Sequence, residues 1–255
     1  MKKLLISAAG ALVCTGVFAA VEAANTLCRI QIDSSRQETL LSIPLKTVGG
    51  AENTIDITKY VLTQGLKAGD KLMKRTNGKW ESWTLDADNG QWVAGKTVSD
   101  ADLTTADATL AVGDVIALYR ANPSGSFYLY GELPADFPKT QTASARVWTM
   151  MGNPKPVETT LAAIPKGTGT SGVQNGDKII VSGGNTYYYN STEKRWERED
   201  LKNPTTTEVT FGGITSQTVT YPRINASTEK IPAGEGFWYI RASGAEALSV
   251  TWPAE

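Results

Sequence analysis

The sequence predicts a mainly β protein made of two duplicated antiparallel units, each a β-sandwich or barrel-like unit with one short helix. Three observations predict this. Short motifs recur in the same order in both halves, turn residues separate short apolar runs, and a polar segment with prolines lies between the halves. We therefore expect a leader at 1–23, a first unit at 24–134, a linker at 135–145 and a second unit at 146–255.

The leader has the three parts of a bacterial secretory signal. Lys2 and Lys3 supply a positive start, residues 4–20 are apolar, and a small-residue cleavage pattern ends at Ala23. A membrane-spanning helix is the alternative, but the apolar run is short and the cleavage pattern follows it at once. We expect an exported protein without a transmembrane helix in the mature chain, located in the periplasm, at the cell surface or outside the cell.

The composition excludes several kinds of chemistry. The chain has no histidine, which excludes His-based triads, His-ligated zinc and imidazole acid–base catalysis. Cys28 is the one cysteine outside the leader, so we expect either a disulfide between molecules or a small buried residue at the start of a strand. The 25 basic and 26 acidic residues leave no basic excess for nucleic acid. We expect no cofactor.

The duplication rests on motifs that match in the same order, which chance rarely produces. The aromatic run at 237–240 corresponds to apolar residues at 116–119. The two runs share hydrophobicity but not aromatic chemistry, so we predict a central strand buried on both faces at each place rather than a binding loop. The matching segments are 69–80 with 176–187, 111–122 with 232–243, Trp92 with Trp196, and Pro44 with Pro154.

Each half also contains the strands of a three-stranded meander, separated by residues such as Asn77-Gly78 that tolerate positive φ. We predict one short helix per half, at 54–66 and at 157–165, with Thr or Asp near its start as a cap. Residues 203–210 are predicted to be a loop or the beginning of an extra strand. A single fused sandwich, in which the copies exchange strands, is the alternative to two small domains. The meander strands are 71–75, 79–85 and 91–95, and then 178–182, 186–190 and 195–199.

Four acids each follow a glycine at a predicted strand entrance, and an arginine ends the central strand of each half. Paired carboxylates can serve a glycosidase, but acids in such turns commonly accept hydrogen bonds from nearby backbone. The arginines are anion ligands or partners of a nearby acid. Residues 86–90 begin like a calcium loop, but the ligand spacing fails, so we predict a hairpin turn and no metal site. These residues are Asp70, Asp114, Asp177 and Glu235, with Arg120 and Arg241.

The best functional indication is the surplus of aromatic side chains, which includes seven tryptophans. Exposed aromatics on β modules can stack on sugar rings or pack against partners, although large aromatics also fill small β cores. Trp80 and Trp83 are three residues apart, so they point to opposite faces of a strand and one should lie outside the core. The candidate ligand-binding residues are Trp80, Trp83, Trp92, Tyr188, Trp196 and Trp238.

Four short motifs of the second half occur in a recognisable order: Gly152-Asn153-Pro154, Gly176-Asp177-Lys178, an aromatic hairpin with Trp196, and Gly234-Glu235-Gly236-Phe237-Trp238. This order resembles the tandem β repeats of secreted and cell-envelope bacterial proteins. The first half departs from it, with "SIP" in place of "GNP" and "GDVIA" in place of "GEGFW". No activity is assigned to that family, so the resemblance implies export and a β-repeat structure and transfers no catalytic residue.

Two hypotheses about function follow. In the first, the protein is a non-enzymatic structural or self-assembling component of the cell envelope that associates with itself or with an envelope partner. In the second, it is a carbohydrate-binding module of the periplasm or cell surface. The location of the surplus tryptophans separates them: an open face beside polar groups favours carbohydrate, and an unpaired strand edge favours assembly.

Overall fold

The protein is represented by a computed structural model in which strands account for most of the described chain. The predicted leader lies outside the described residues, and so do residues 135–138 of the predicted linker. The described residues are 27–33, 35–50, 54–56, 61–62, 66–76, 79–86, 88, 90–95, 109–123, 125–134, 139–167, 172–211 and 214–252.

The first half is organised around a five-stranded antiparallel sheet with the order β2-β9-β5-β6-β7. A three-stranded sheet, β1-β10-β4, and a two-stranded sheet, β3-β8, complete it. The strands are β1 (Leu27–Asp33), β2 (Glu38–Ser42), β3 (Thr54–Asp56), β4 (Val61–Leu62), β5 (Lys71–Thr76), β6 (Lys79–Leu85), β7 (Trp92–Ala94), β8 (Thr109–Ala111), β9 (Val115–Tyr119) and β10 (Ser126–Glu132).

The second half is organised around a six-stranded antiparallel sheet with the order β12-β21-β14-β15-β16-β19. The pairs β11-β22, β13-β20 and β17-β18 form separate two-stranded sheets. The strands are β11 (Lys139–Ala143), β12 (Trp148–Gly152), β13 (Thr159–Thr160), β14 (Lys178–Val181), β15 (Thr186–Asn190), β16 (Arg195–Glu199), β17 (Thr205–Phe211), β18 (Ile214–Thr220), β19 (Arg223–Asn225), β20 (Lys230–Ile231), β21 (Gly236–Ile240) and β22 (Leu248–Trp252).

The predicted central strands are confirmed, because β9 lies between β2 and β5 and β21 lies between β12 and β14. In β9, residues 116–118 are all buried. In β21, Phe237 and Tyr239 are completely buried, whereas Trp238 on the opposite face is partly exposed. The prediction of burial on both faces is therefore confirmed for β9 and wrong for β21, which has one face in the core and Trp238 partly exposed on the other.

Each half has its own hydrophobic core. The first contains alternate residues of β1, such as Ile30 and Ile32, with residues of the five-stranded sheet. The second packs Trp196, Tyr239 and Trp252 against one another and their neighbours. Every described strand pairs within its own half, and the strand β11 occupies residues 139–143 of the predicted linker, where it pairs with β22.

In the first half, a buried ion pair joins the entrance of β5 to the end of β9. The Asp70 carboxylate accepts hydrogen bonds from Arg120 Nε at 2.8 Å and from the Lys67 and Ala121 backbone amides at 2.8 and 2.9 Å. Both charged side chains are 0% exposed. Gly69 precedes the aspartate with a φ of +87°, a left-handed conformation that glycine adopts without strain.

The second half contains the same arrangement. The Asp177 carboxylate accepts hydrogen bonds from Arg241 Nη1 and from the Gln174 and Ala242 backbone amides, the latter two at 3.0 and 2.7 Å. Both charged side chains are again 0% exposed, and the preceding Gly176 has a φ of +86°. The acids that follow glycine therefore stabilise turns and buried arginines in both halves.

The two predicted helices are wrong at the described residues, where no α-helix occurs. The segment 54–66 contributes β3 and β4, which pair with β8 and β10. The segment 157–165 contributes β13 and one turn of 3-10 helix, Leu161–Ala163. Both segments are rich in threonine, valine and isoleucine, whose branched side chains favour strands once a partner strand is available.

The halves meet through close backbone contact. The Ser42 amide donates a hydrogen bond to the Gly234 carbonyl at 2.9 Å, and Leu41 forms an isolated β-bridge with Glu235. A Cβ atom on Gly236 would lie 2.8 Å from Cβ of Leu40, so glycine is required for this approach. The edge of the first sheet therefore lies directly against the central strand of the second.

Candidate functional site

Three tryptophans with an arginine and a glutamate form an exposed group where the two halves meet. We call Trp80, Trp148, Trp238, Arg75 and Glu38 the tryptophan cluster. The ring centroids of Trp80 and Trp238 are 6.3 Å apart and those of Trp148 and Trp238 are 5.9 Å apart, both in edge-to-face geometry. The first half supplies Trp80, Arg75 and Glu38, and the second half supplies the other two residues.

Strand geometry explains how each ring reaches the surface. Trp80 and Trp83 lie on β6, and their spacing of three places them on opposite faces. Trp83 is 3% exposed and lies in the first core, whereas Trp80 is 41% exposed. The prediction that one of this pair lies outside the core is confirmed. Trp238 lies opposite Met150 on β12, and Trp148 begins that same strand.

The cluster holds one cation against its rings. The Arg75 guanidinium carbon is 5.9 Å from the ring centroid of Trp80 and 5.8 Å from that of Trp238. Arg75 Nη1 also donates a hydrogen bond to the Trp148 carbonyl at 3.0 Å. A guanidinium within about 6 Å of a ring face is attracted by the electron density there, which holds both indoles and the arginine in place.

Glu38 adds a carboxylate to the polar groups of the cluster. Glu38 Oε1 accepts a hydrogen bond from Trp238 Nε1 at 3.3 Å, and Glu38 itself is exposed at the start of β2. The arginine offers hydrogen-bond donors and the glutamate offers acceptors, and both contact Trp238. A ligand that carries both hydroxyl groups and apolar C–H faces can use all of these groups at once.

Two tryptophans of the cluster expose an unusually large part of their surface for aromatic side chains. Trp148 is 52% exposed and Trp80 is 41% exposed, although burying a large aromatic side chain is worth about 1.5–3 kcal/mol. Adjacent exposed aromatics beside polar groups are typical of surfaces that bind a ligand or a partner.

The other candidate residues lie elsewhere. Trp196 is completely buried in the second core, and Trp92 packs against the first core from its edge, so neither belongs to the cluster. Tyr188 lies on β15, where the Arg223 guanidinium stacks at 3.9 Å and Lys178 Nζ lies 5.4 Å from its ring centroid. Its ring face is therefore already covered by cations.

Sequence reasoning missed three members of the cluster. Trp148 belongs to the surplus of tryptophans, but its place directly after the predicted linker gives no sign of a binding role. Arg75 and Glu38 carry no motif of their own. The pairing of Arg75 with Trp80 across neighbouring strands could nevertheless have been predicted from the sequence, since both residues flank the predicted turn at Asn77-Gly78.

Cys28 lies in the first core, is 6% exposed and forms no disulfide in the structure. It occupies the first buried position in the alternating pattern of β1, where the side chains of Ile30 and Ile32 face the same way. The arrangement matches the buried-residue alternative, and a disulfide between molecules would require this strand to open.

Other acids that the sequence analysis singled out accept hydrogen bonds from nearby groups. The Asp114 carboxylate accepts hydrogen bonds from Lys139 Nζ at 2.9 Å and from the Ala111 amide at 3.0 Å. In the predicted hairpin turn at 86–90, the Asp88 amide donates to Asp86 Oδ1 at 3.0 Å. Across the described ranges, no group of three or more acidic or cysteine side chains is placed to hold a metal ion.

Packing in the second core raises the pKa of two tyrosine hydroxyl groups. Burial raises the pKa of Tyr239 far above its usual value, and the Asp177 carboxylate that accepts its hydroxyl hydrogen bond at 2.8 Å adds to the effect. Burial also raises the pKa of Tyr187, whose hydroxyl donates to Glu229 at 2.7 Å. Both hydroxyls act as structural donors in the second core.

No protein family, curated protein or solved structure matches this chain. Within the part of the chain that the structure describes, no helix has the length and apolar character needed to cross a membrane. The tryptophan cluster is therefore interpreted from its own geometry.

Proposed function

We propose that the protein is an exported, non-enzymatic binding module and that its tryptophan cluster binds carbohydrate. The observation that carries the proposal is the pair of exposed indoles, Trp80 and Trp148, that each pack edge-to-face with Trp238 at the meeting point of the halves. The C–H face of a sugar ring can pack on an indole, while its hydroxyl groups hydrogen-bond to Arg75 and Glu38.

The location of the rings favours this function over the envelope-assembly role. Trp80 lies on β6 and Trp238 on β21, and each of these strands has a paired neighbour on both sides. Trp148 lies on the edge strand β12, but its ring packs towards Trp238. The tryptophans thus present an open face beside polar groups rather than an unpaired edge. The buried position of Cys28 also weakens assembly through a disulfide.

We also infer that the two halves arose by duplication. Support comes from the corresponding strand orders β2-β9-β5-β6 and β12-β21-β14-β15. Further support comes from the buried pairs Asp70–Arg120 and Asp177–Arg241, which join corresponding strands and are preceded by glycines of nearly equal φ. On this view the cluster is a product of the tandem arrangement, since neither copy contains all of its rings.

A glycan-binding assay tests the carbohydrate proposal. We expect a subset of neutral or acidic oligosaccharides to change the tryptophan fluorescence and to bind at a single site. The substitution Trp148→Ala should weaken that binding about tenfold, since one aromatic contact is worth up to about 1.5 kcal/mol. Tyr221→Ala is the matched control, because Tyr221 is another exposed aromatic (39%) outside the cluster. Binding that is unchanged in Trp148→Ala, or no binding by any glycan, would contradict the proposal.

A further inference from the structure

One hairpin of the second half, formed by β17 and β18, is exposed on both of its strands. Its seven-residue strands pair from Thr205↔Thr220 to Phe211↔Ile214. Among the described strands each pairs only with the other. Residues 205–210 and 215–220 are all exposed, including Val209 at 53% and Val219 at 49%.

Such a hairpin is incomplete by the usual rules of sheet stability. An isolated two-stranded sheet is only marginally stable in water, and three or more strands are normally needed. Natural proteins protect exposed edges with lysine, proline or bulges. Neither strand contains lysine, arginine or proline, and Glu208 is the single charged residue of the two strands. The composition instead consists largely of threonine and valine, which favour strands.

We propose that β18 is a self-association edge, which pairs antiparallel with β18 of a second copy to form a four-stranded sheet. A twofold axis at Gln217 places each Gln217 opposite its own copy. It also places Ser216 opposite Thr218 and Thr215 opposite Val219 of the other molecule. All of these pairs are neutral, and the residues on either side of Gln217 have small or β-branched side chains that suit cross-strand contact.

Charge distinguishes β18 from β17 as the pairing edge. The corresponding twofold arrangement of β17 has Glu208 at its centre, so two carboxylates would lie directly opposite each other. Like charges in that position destabilise a strand pair. The β18 edge avoids this repulsion, and its glutamine can donate and accept hydrogen bonds with its own copy across the axis.

The hairpin is held in register before any partner arrives. Gln217 Nε2 donates to Glu208 Oε1 at 2.6 Å, and the Thr210 and Thr215 hydroxyls are 2.9 Å apart. In an antiparallel pair, alternate residues turn their backbone N–H and C=O groups towards the partner strand, and the others turn outwards. The outward groups of β18 are therefore arranged in one extended row for a second strand.

The size of this edge sets the expected strength. Stable protein interfaces bury about 1,200–2,000 Å² in total. Pairing through a single seven-residue strand edge buries less area than this. We therefore expect a reversible dimer whose population rises with protein concentration, rather than a permanent one.

Sedimentation equilibrium over a concentration series tests the proposal on the purified protein. The weight-average mass should rise from one chain towards two, and Gln217→Lys should weaken the association about two- to fivefold by placing like charges at the axis. The hairpin of this variant should persist, because the introduced ammonium group still lies opposite Glu208. Thr207→Lys is the matched control: it adds the same charge on β17, opposite Thr218 and away from the axis, and should associate like the parent.

A charge-exchange experiment separates specific pairing from a general effect of charge. An equimolar mixture of Gln217→Lys chains and Gln217→Glu chains that also carry Glu208→Gln should associate more tightly than either variant alone, because opposite charges then meet at the axis. Glu208→Gln prevents two carboxylates from facing each other within one hairpin. A parent protein that stays monomeric at the highest concentration would overturn the proposal. Equal weakening by Thr207→Lys, or no recovery in the mixture, would also overturn it. None of the substituted positions belongs to the tryptophan cluster, so glycan binding is measured independently.

Discussion

The buried ion pair Asp177–Arg241 allows a quantitative prediction about stability. The substitution Asp177→Asn keeps the shape of the side chain but removes its charge. Arg241 is then left with the Glu246 carbonyl, 2.8 Å from Nε, and the Gly172 carbonyl, 3.0 Å from Nη2, and with no counter-charge among these contacts. Both members of the pair are 0% exposed, so water cannot replace the lost carboxylate without opening the structure.

The expected loss follows from the cost of an unpaired buried charge. Breaking a buried pair by removing one partner costs about 3–5 kcal/mol, a large fraction of the ~5–15 kcal/mol that stabilises a typical protein. Since 1 kcal/mol corresponds to about 2–4 °C in a chain of this size, the melting temperature should fall by about 6–20 °C. Removing both charges, in Asp177→Asn with Arg241→Met, should recover much of the loss.

Urea unfolding at neutral pH, followed by tryptophan fluorescence, measures the change, because Trp196 lies in the same core. Asp114→Asn is the matched control: the side chain of Asp114 is 42% exposed and pairs with Lys139, so its loss should cost less than about 1 kcal/mol. If Asp177→Asn loses no more stability than Asp114→Asn, the reasoning is refuted. Asp70→Asn should reproduce the larger loss in the first half.

Three further predictions concern the packing. The raised pKa values of Tyr239 and Tyr187 mean that their stabilising contribution is complete below the unfolded value of about pH 10 and is lost as the pH rises above it. Unfolding midpoints should fall above pH 10, and tyrosinate absorbance of all nine tyrosines near pH 10 in a folded protein would contradict this. Gly236→Ala should destabilise the contact between the halves by about 1–3 kcal/mol in the same urea assay, because its Cβ would lie 2.8 Å from Leu40; an unchanged midpoint would count against the contact. Cys28 should react with a thiol reagent only as fast as β1 opens, so rapid labelling of the folded protein would show that it is accessible.

Several local features could be predicted from the sequence because they depend on short patterns. Glycine before Asp70 and Asp177 predicted a turn at each strand entrance, and the apolar runs at 116–119 and 237–240 predicted central strands. The spacing of Trp80 and Trp83 predicted one exposed ring. Each of these inferences uses the two-residue period of strands or the backbone preference of glycine, which neighbouring residues largely determine.

The remaining features depend on contacts between distant residues. The segment 54–66 has branched residues and possible caps, and only its pairing with β8 and β10, far along the chain, decides between helix and strand. The tryptophan cluster joins residues from 38 to 238, so it required knowledge of how the halves meet. The segment 203–210 is compatible with a loop or a strand on its own, because its partner β18 lies outside that segment.

The close contact between the halves makes the distance between Trp80 and Trp238 a measure of whether the halves are in contact. Gly152 and Gly236 lie opposite each other in the sheet, and a Cβ on Gly152 would be only 2.6 Å from Cβ of Ser42. The two halves therefore approach so closely that there is no room for a side chain at Gly152 or Gly236. Because Trp80 and Trp238 lie across that seam, any separation of the halves changes the light that these two indoles emit before either core unfolds.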